Sequence, residues 1–256
     1  MSDTNRTYLK ITVLVIFQVV LVILIGLTMP RSVSLLWHLV LQETILFIAM
    51  FAANHWLFKQ QIYLKPQISI LKILPLMWIF LLFSLTSLSN LATAKHPQVG
   101  LALGVGLAAA IYEEYFFRGI VFGKLLSTLN RANLTYRQIW PPIIVASGLF
   151  GLTHLVNLFS QALLPTLVQV IQVSLFAVLL SALYLRSGSL LLPMLTHFSL
   201  DFMATIASGS VNAATAVANP VASIAIMLLY LISALIFLRP SQFKHFKLVN
   251  RDPSLK

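Results

Sequence analysis

Cysteine is absent from this chain of 256 residues. Its absence removes disulfides, thiolate metal sites and a cysteine nucleophile from the chemistry available. Acidic residues are almost as scarce, with six against seventeen lysines and arginines and a formal net charge of +11. Charged residues of both signs make up only 9% of the chain, while 59% is hydrophobic and the mean hydropathy is +0.93. Those proportions exclude an ordinary soluble domain. The positive charge does not point to nucleic acid, because no basic cluster is interleaved with aromatic residues. Basic loops on a membrane protein account for it directly.

What the chain has in quantity is apolar runs long enough to cross a bilayer, which takes about 20 residues each. Eight are predicted, at Tyr8–Thr28, Val33–Phe58, Ile70–Leu91, Gly100–Phe122, Pro141–Phe159, Leu164–Leu185, Ser189–Ile206 and Pro220–Leu238. The first follows Arg6 and Lys10 as a signal peptide would, but it exceeds the length of a typical h-region, so a retained span is expected. The expected fold is an all-α, polytopic membrane helix bundle of about eight transmembrane helices. The whole chain, residues 1–256, reads as one integral membrane domain, multi-pass, in the plasma membrane if the source is bacterial. No internal repeat is visible.

The basic residues orient this bundle. The amino terminus holds Arg6 and Lys10, and the next loops on the same side hold Lys59, Lys65, Lys72, Lys124, Arg131, Arg137 and Arg186. The tail adds Arg239, Lys244, Lys247, Arg251 and Lys256. The opposite side has only Arg31 and Lys95, and Arg118 lies inside a span. Positively charged loops stay in the cytoplasm, so both termini are expected there. Gly100, Gly104 and Ala108 recur every four residues, a stripe of small side chains on which another helix can pack closely. Trp78 and Phe80 fall well inside the third span and read as packing or lipid-facing residues.

Against this apolar background the ionisable residues carry the information, because a charge near the bilayer centre costs at least a few kcal/mol unless it is paired, protonated or hydrated. Two of the six acids stand side by side in Glu113-Glu114-Tyr115-Phe116-Phe117-Arg118. Glu114 and Arg118, four apart, share a helical face and are expected to form a buried structural pair. Glu113 points about 100° away and is left free for chemistry. His154 closes Phe150-Gly151-Leu152-Thr153-His154, and His197 and Asp201 are spaced four apart in the seventh span. At a rise of about 1.5 Å per residue, Glu113, His154, His197 and Asp201 lie roughly 14 to 20 Å from the cytoplasmic ends of their helices. Four titratable groups at one depth on three helices suggest a single site. A polar cavity must then bring water to it, from the cytoplasmic side or between helices. His38, Glu43 and His55 have no partner at helical spacing and read as structural, while His96 and His245 fall in loops.

In these residues the chain resembles the CPBP family of intramembrane endopeptidases, the CaaX-processing and bacteriocin-processing proteases also called the Abi group. The family pattern is a Glu-Glu-x-x-x-Arg helix, a Phe-x-x-x-His helix and a His-x-x-x-Asn/Asp helix. It is matched here by Glu113, Glu114 and Arg118, by Phe150 and His154, and by His197 and Asp201, within a core of about residues 100–206. The resemblance implies hydrolysis of a peptide bond in a membrane-associated protein or peptide. Glu113 would activate water with help from His154, while His197 and Asp201 would polarise the carbonyl or steady the tetrahedral intermediate. Glu114, Arg118 and Phe150 would support them. Members near the prenyl-protein proteases usually carry Asn where this chain has Asp201, and an ionised carboxylate there would repel an oxyanion. Asp201 therefore has to be protonated, to orient His197, or to bind a metal. Glu113, His154, His197 and Asp201 are also a candidate zinc set. Two other readings compete with the protease: a proton- or ion-coupled transporter, since such residues also serve as relays, and a non-catalytic membrane scaffold of the same fold.

Overall fold

The computed structural model describes residues 3–30, 32–129, 133–209 and 219–251. Three of the basic residues used to orient the chain, Arg31, Arg131 and Lys256, lie outside them. The architecture is helical throughout, with no strand among the described residues, and the protein is an integral multi-pass membrane protein. Helix α1 spans Asp3–Thr28, and α2 spans Leu35–Ala53 and runs on into a π-helical turn at Asn54–Phe58. A short α3, Ile70–Ile73, is followed by α4, Trp78–Thr93. Helix α5, Val99–Glu113, continues as π-helix over Glu114–Phe122 and ends in α6, Gly123–Ser127. Then come α7 (Trp140–Thr153), α8 (Leu163–Ser187), α9 (Leu191–Ser208), α10 (Pro220–Leu238) and a short α11 (Lys247–Arg251).

Six of these helical segments are long and apolar enough to cross a bilayer, and a bent pair, Ile70–Leu76 with Trp78–Thr93, makes a seventh. The expected straight span at Ile70–Leu91 is instead broken by 66°. Pro75 explains the break: it has no N–H to give the helix, and a 3₁₀ turn at Leu74–Leu76 takes up the change of direction. Trp78 therefore opens α4 rather than sitting deep within a span. The remaining long helix, α9, falls outside the candidate spans. Thr196, His197, Ser199 and Asp201 dilute its apolar character. It is packed against α4, α5 and α8, so its polar side chains are kept among other helices rather than in lipid.

Close approach of helices depends on glycines, though not mainly on the stripe expected from the sequence. Nothing lies within 4 Å of where a Cβ on Gly100 would be, whereas a Cβ on Gly104 would strike the side chain of Leu36 on α2. A close contact between α5 and α9 uses Gly106, off that stripe, where a Cβ would come within 2.8 Å of the Phe198 ring and 3.1 Å of the Phe198 carbonyl oxygen. Between α7 and α8, a Cβ on Gly151 would come within 2.8 Å of the Val170 carbonyl oxygen. Bulky residues at these positions push whole helices apart. Gly151→Leu is expected to destabilise the protein by about 1–3 kcal/mol, the usual cost of overpacking. A lowered thermal midpoint in detergent checks this, and an unchanged midpoint would mean that α7 and α8 do not approach this closely.

Candidate active site

The tandem glutamates lie where the fourth predicted span changes from α-helix to π-helix, and every residue from Glu114 to Phe122 is buried. In a π-helix each N–H bonds one residue further back, a rare geometry that is frequent at functional sites. This segment is anchored from outside. The Asn54 side chain donates to the Tyr115 hydroxyl at 3.3 Å and to the Gln60 carbonyl at 3.0 Å, and accepts from the Gln60 N–H at 2.9 Å. Those bonds hold the turn after α2, where Lys59 adopts a left-handed conformation at φ 50°. The chain between α2 and α3 is also tied to the α8–α9 turn, through Leu190 N–H to the Tyr63 carbonyl at 2.7 Å and Ser189 Oγ to the Leu64 carbonyl. The starts of the π-helix and of α9 are thus fixed relative to one another.

Glu114 and Arg118 pair as their spacing suggests, Oε1 to Nη1 at 2.9 Å, with both side chains essentially inaccessible to solvent. The guanidinium also lies over the Phe150 ring, with Cζ 4.4 Å from the centroid, so a cation–π contact supplements the ion pair. The same Glu114 oxygen lies 2.8 Å from Nδ1 of His197. A carboxylate paired with arginine can only accept, so Nδ1 carries the hydrogen and donates it to Glu114. Glu114 therefore orients His197 as well as neutralising Arg118, a second role that the four-residue spacing could not reveal.

With Nδ1 held, His197 presents Nε2 to the two other carboxyl groups. Glu113 Oε2 is 3.6 Å away and Asp201 Oδ2 3.4 Å, both longer than a direct hydrogen bond. The rings of Phe150 and Phe176 stand edge-on to the imidazole at 6.2 and 5.5 Å between centroids and limit its tilt. Glu113, His197 and Asp201 are thus brought together. His154 is nearby but separate. Its Nδ1 is 3.1 Å from the Phe150 carbonyl oxygen of its own helix, which must accept, so Nε2 is the nitrogen left without a hydrogen when the ring is neutral. Among the described residues His154 forms no ion pair with a carboxylate, but it lines the same cavity as the other three.

That cavity has a volume of about 1220 Å³. It lies between helices, as one of the two expected routes for water requires. The residues that bound it come from the second half of α1, the first half of α2, α5 up to Glu113, the end of α7 and the turn after it, the first half of α8, the second half of α9 and the start of α10. It therefore extends from the Glu113 layer towards the helix ends opposite the amino terminus. One acid assigned a structural role also lines it: Glu43 on α2 accepts from Gln42 Nε2 at 3.4 Å through Oε1, while Oε2 is buried with no hydrogen-bond partner. Its scarcity was the available signal, since only three glutamates occur in the chain and all three fall in apolar spans.

A structural or catalytic zinc needs three or four ligand atoms converging at about 2.0–2.2 Å. No group of three or more His, Asp or Glu side chains among the described residues is arranged to hold a metal ion. His197 keeps Nδ1 on Glu114 and His154 keeps Nδ1 on its own helix, which leaves Nε2 as the one ring nitrogen of each that could meet a metal.

Residues 95–203 match the family model described as type II CAAX prenyl endopeptidase Rce1-like. The matched segment contains Glu113, Glu114, Arg118, Phe150, His154, His197 and Asp201. No curated protein matches the chain.

The Arg118–Glu114–His197 contacts yield a stability prediction. Glu114→Ala leaves a buried guanidinium uncompensated and is expected to cost about 3–5 kcal/mol, with Arg118→Met on top of it recovering most of the loss. Unfolding of the single and double variants in detergent measures this. Equal destabilisation by both would show that Arg118 finds its compensation elsewhere.

Proposed function

We propose, from the match of residues 95–203 to the Rce1-like family of CAAX endopeptidases, that the cavity hydrolyses a peptide bond of a membrane-associated protein. At family level the matched segment is the core of a CAAX-type intramembrane endopeptidase. The observation that carries the finer reading is the convergence of Glu113 and Asp201 on the Nε2 edge of one oriented histidine, at the floor of a cavity large enough for a peptide. In this reading Glu113 takes a proton from a water molecule, and the water oxygen attacks the scissile carbonyl carbon. His154, with Nε2 as an acceptor, helps to hold that water. His197 is protonated at both nitrogens in the transition state and donates Nε2–H to the developing oxyanion while Nδ1–H remains on Glu114. When the C–N bond breaks, the proton held by Glu113 passes to the leaving amine.

Asp201 acts on His197 rather than on the substrate. One turn along α9, its carboxylate supports the charge on the imidazolium from the cavity side, as Glu114 does from the buried side. That geometry supports orientation of His197 over the other two roles open to an acid at this position. No step in this sequence is routed through a metal.

The test compares membranes containing the wild-type protein with membranes containing Glu113→Gln, scoring new amino and carboxyl termini. Removing the general base is expected to lower cleavage by at least 100-fold, in line with the usual contribution of such groups, while the protein inserts and folds at normal yield. Equal termini in the two membranes would refute the assignment of Glu113. Asp201→Asn should retain measurable activity, because an amide still bonds His197, and complete inactivity with normal folding would place Asp201 in the chemistry itself.

A further inference from the structure

The two halves of the bundle differ in a way that bears on where the substrate comes from. Between the Glu113 layer and the helix ends near Phe58, Ser127, Ser187 and Leu238, the interior is solid: Phe116, Phe122, Leu125, Leu180, Leu183 and Tyr184 are all at 0–1% exposure. Between the same layer and the opposite ends it is hollow. The cavity wall runs out to Leu27 at the end of α1, Phe159 beyond α7, Ser208 at the end of α9 and Asn219 at the start of α10. The basic residues divide along the same line. Lys59, Lys65, Lys72, Lys124, Arg137, Arg186, Arg239, Lys244 and Lys247 belong to the solid end, and Lys95 alone among the described basic loop residues belongs to the hollow one. Two of them clamp helix ends there, Lys124 Nζ to the Phe58 carbonyl at 3.3 Å and Arg186 Nη1 to the Phe237 carbonyl at 3.0 Å.

Since basic loops remain in the cytoplasm, the plugged end is the cytoplasmic one. We infer that the cavity is entered from the non-cytoplasmic face, and that the peptide it takes is an extended segment of a membrane-anchored protein presented from that face. The cavity wall supports an extended peptide in particular. Gln18, Gln42, Asn157, Gln161, Gln169 and Gln172 line it, an unusual density of amides for a membrane interior. Asn157 donates to Gln169 at 2.9 Å, but the Oε1 atoms of Gln161 and Gln172 are buried with no partner. A peptide unwound for cleavage in a membrane must find partners for its own N–H and C=O groups, and amide side chains offer both kinds. This inference rests on the protease reading for what is cut, but not for the side from which the cavity is reached.

The absence of native cysteine makes the access route directly measurable. Three single-cysteine variants of the full chain suffice. Ala109→Cys lies in the cavity one turn before Glu113, Ala207→Cys near its outer end, and Lys244→Cys at the basic end. Each is treated with a membrane-impermeant maleimide in right-side-out and in inside-out vesicles, with labelling after denaturation as the total. The two cavity cysteines are expected to label in right-side-out vesicles, and Lys244→Cys only in inside-out ones. Cavity labelling confined to inside-out vesicles, or no cavity labelling from the right-side-out face, overturns the inference. So does labelling of Lys244→Cys from that face. Mapping the Glu113-dependent termini then tests the substrate class: they are expected in segments on the non-cytoplasmic side, and confinement to cytoplasmic tails would contradict it. Labelling as expected without any Glu113-dependent terminus would refute the protease reading alone. A Gln161→Leu/Gln172→Leu double variant should lose at least 10-fold of the cleavage while folding normally, and undiminished cleavage would remove the amide wall from substrate recognition.

Discussion

The architecture depends on a single carboxylate oxygen. Glu114 Oε1 lies 2.9 Å from an arginine on its own helix and 2.8 Å from a histidine on α9. Arg118 is buried away from the cavity, and His197, though it borders the cavity, has its Nδ1 side buried. Desolvating a charge costs several kcal/mol, so the three side chains are stable only in each other's company. The Phe150 ring under Arg118 adds an aromatic face to the same cluster. This arrangement fixes the imidazole's tautomer and tilt before any substrate arrives, and preorganisation of that kind makes a donor effective against a developing negative charge.

The second constraint is the division of the bundle into a packed end and a hollow end. The packed end locks the π-helical segment, α8 and the turn into α9 into one unit through aromatic contact and through the bonds from residues 54–64. The hollow end can then remain open around Glu43, Glu113 and Asp201 without loss of rigidity at the layer of Glu114 and His197. A carboxyl group left inside a bundle without a cation needs a polar cavity, and the amides along the cavity wall supply one.

Much of this was legible in the sequence because charge is so rare in it. The pairing of Glu114 with Arg118, the release of Glu113 from that face, and the common face of His197 and Asp201 all follow from helical spacing, and the helical fold follows from the long apolar runs. Other features could not be read along one dimension. The bond from Glu114 to His197 joins residues 83 positions apart, which no periodicity reports. Glu43 has no charged partner at helical spacing on α2, so its place in the cavity depended on how α2 packs against α5. The small-residue stripe pointed to close packing, but Gly106, outside it, makes the approach to α9. The break at Met77 was signalled by Pro75, although length and hydropathy favoured a continuous span. Depth alone placed the four titratable groups in one layer without indicating which end of the helices the space between them would open toward.

The contact between Glu114 and His197 is the central claim, and it can be observed without a substrate. The chain has only three glutamates and six histidines, so a sample labelled with ¹³C-glutamate and ¹⁵N-histidine has few close pairs to resolve in solid-state NMR. The account predicts a protonated His197 Nδ1 with strong dipolar coupling to a glutamate Cδ, and loss of that coupling in Glu114→Gln membranes labelled only at glutamate and histidine. An unprotonated Nδ1, or a protonated one with no glutamate carboxyl carbon beside it, would contradict it.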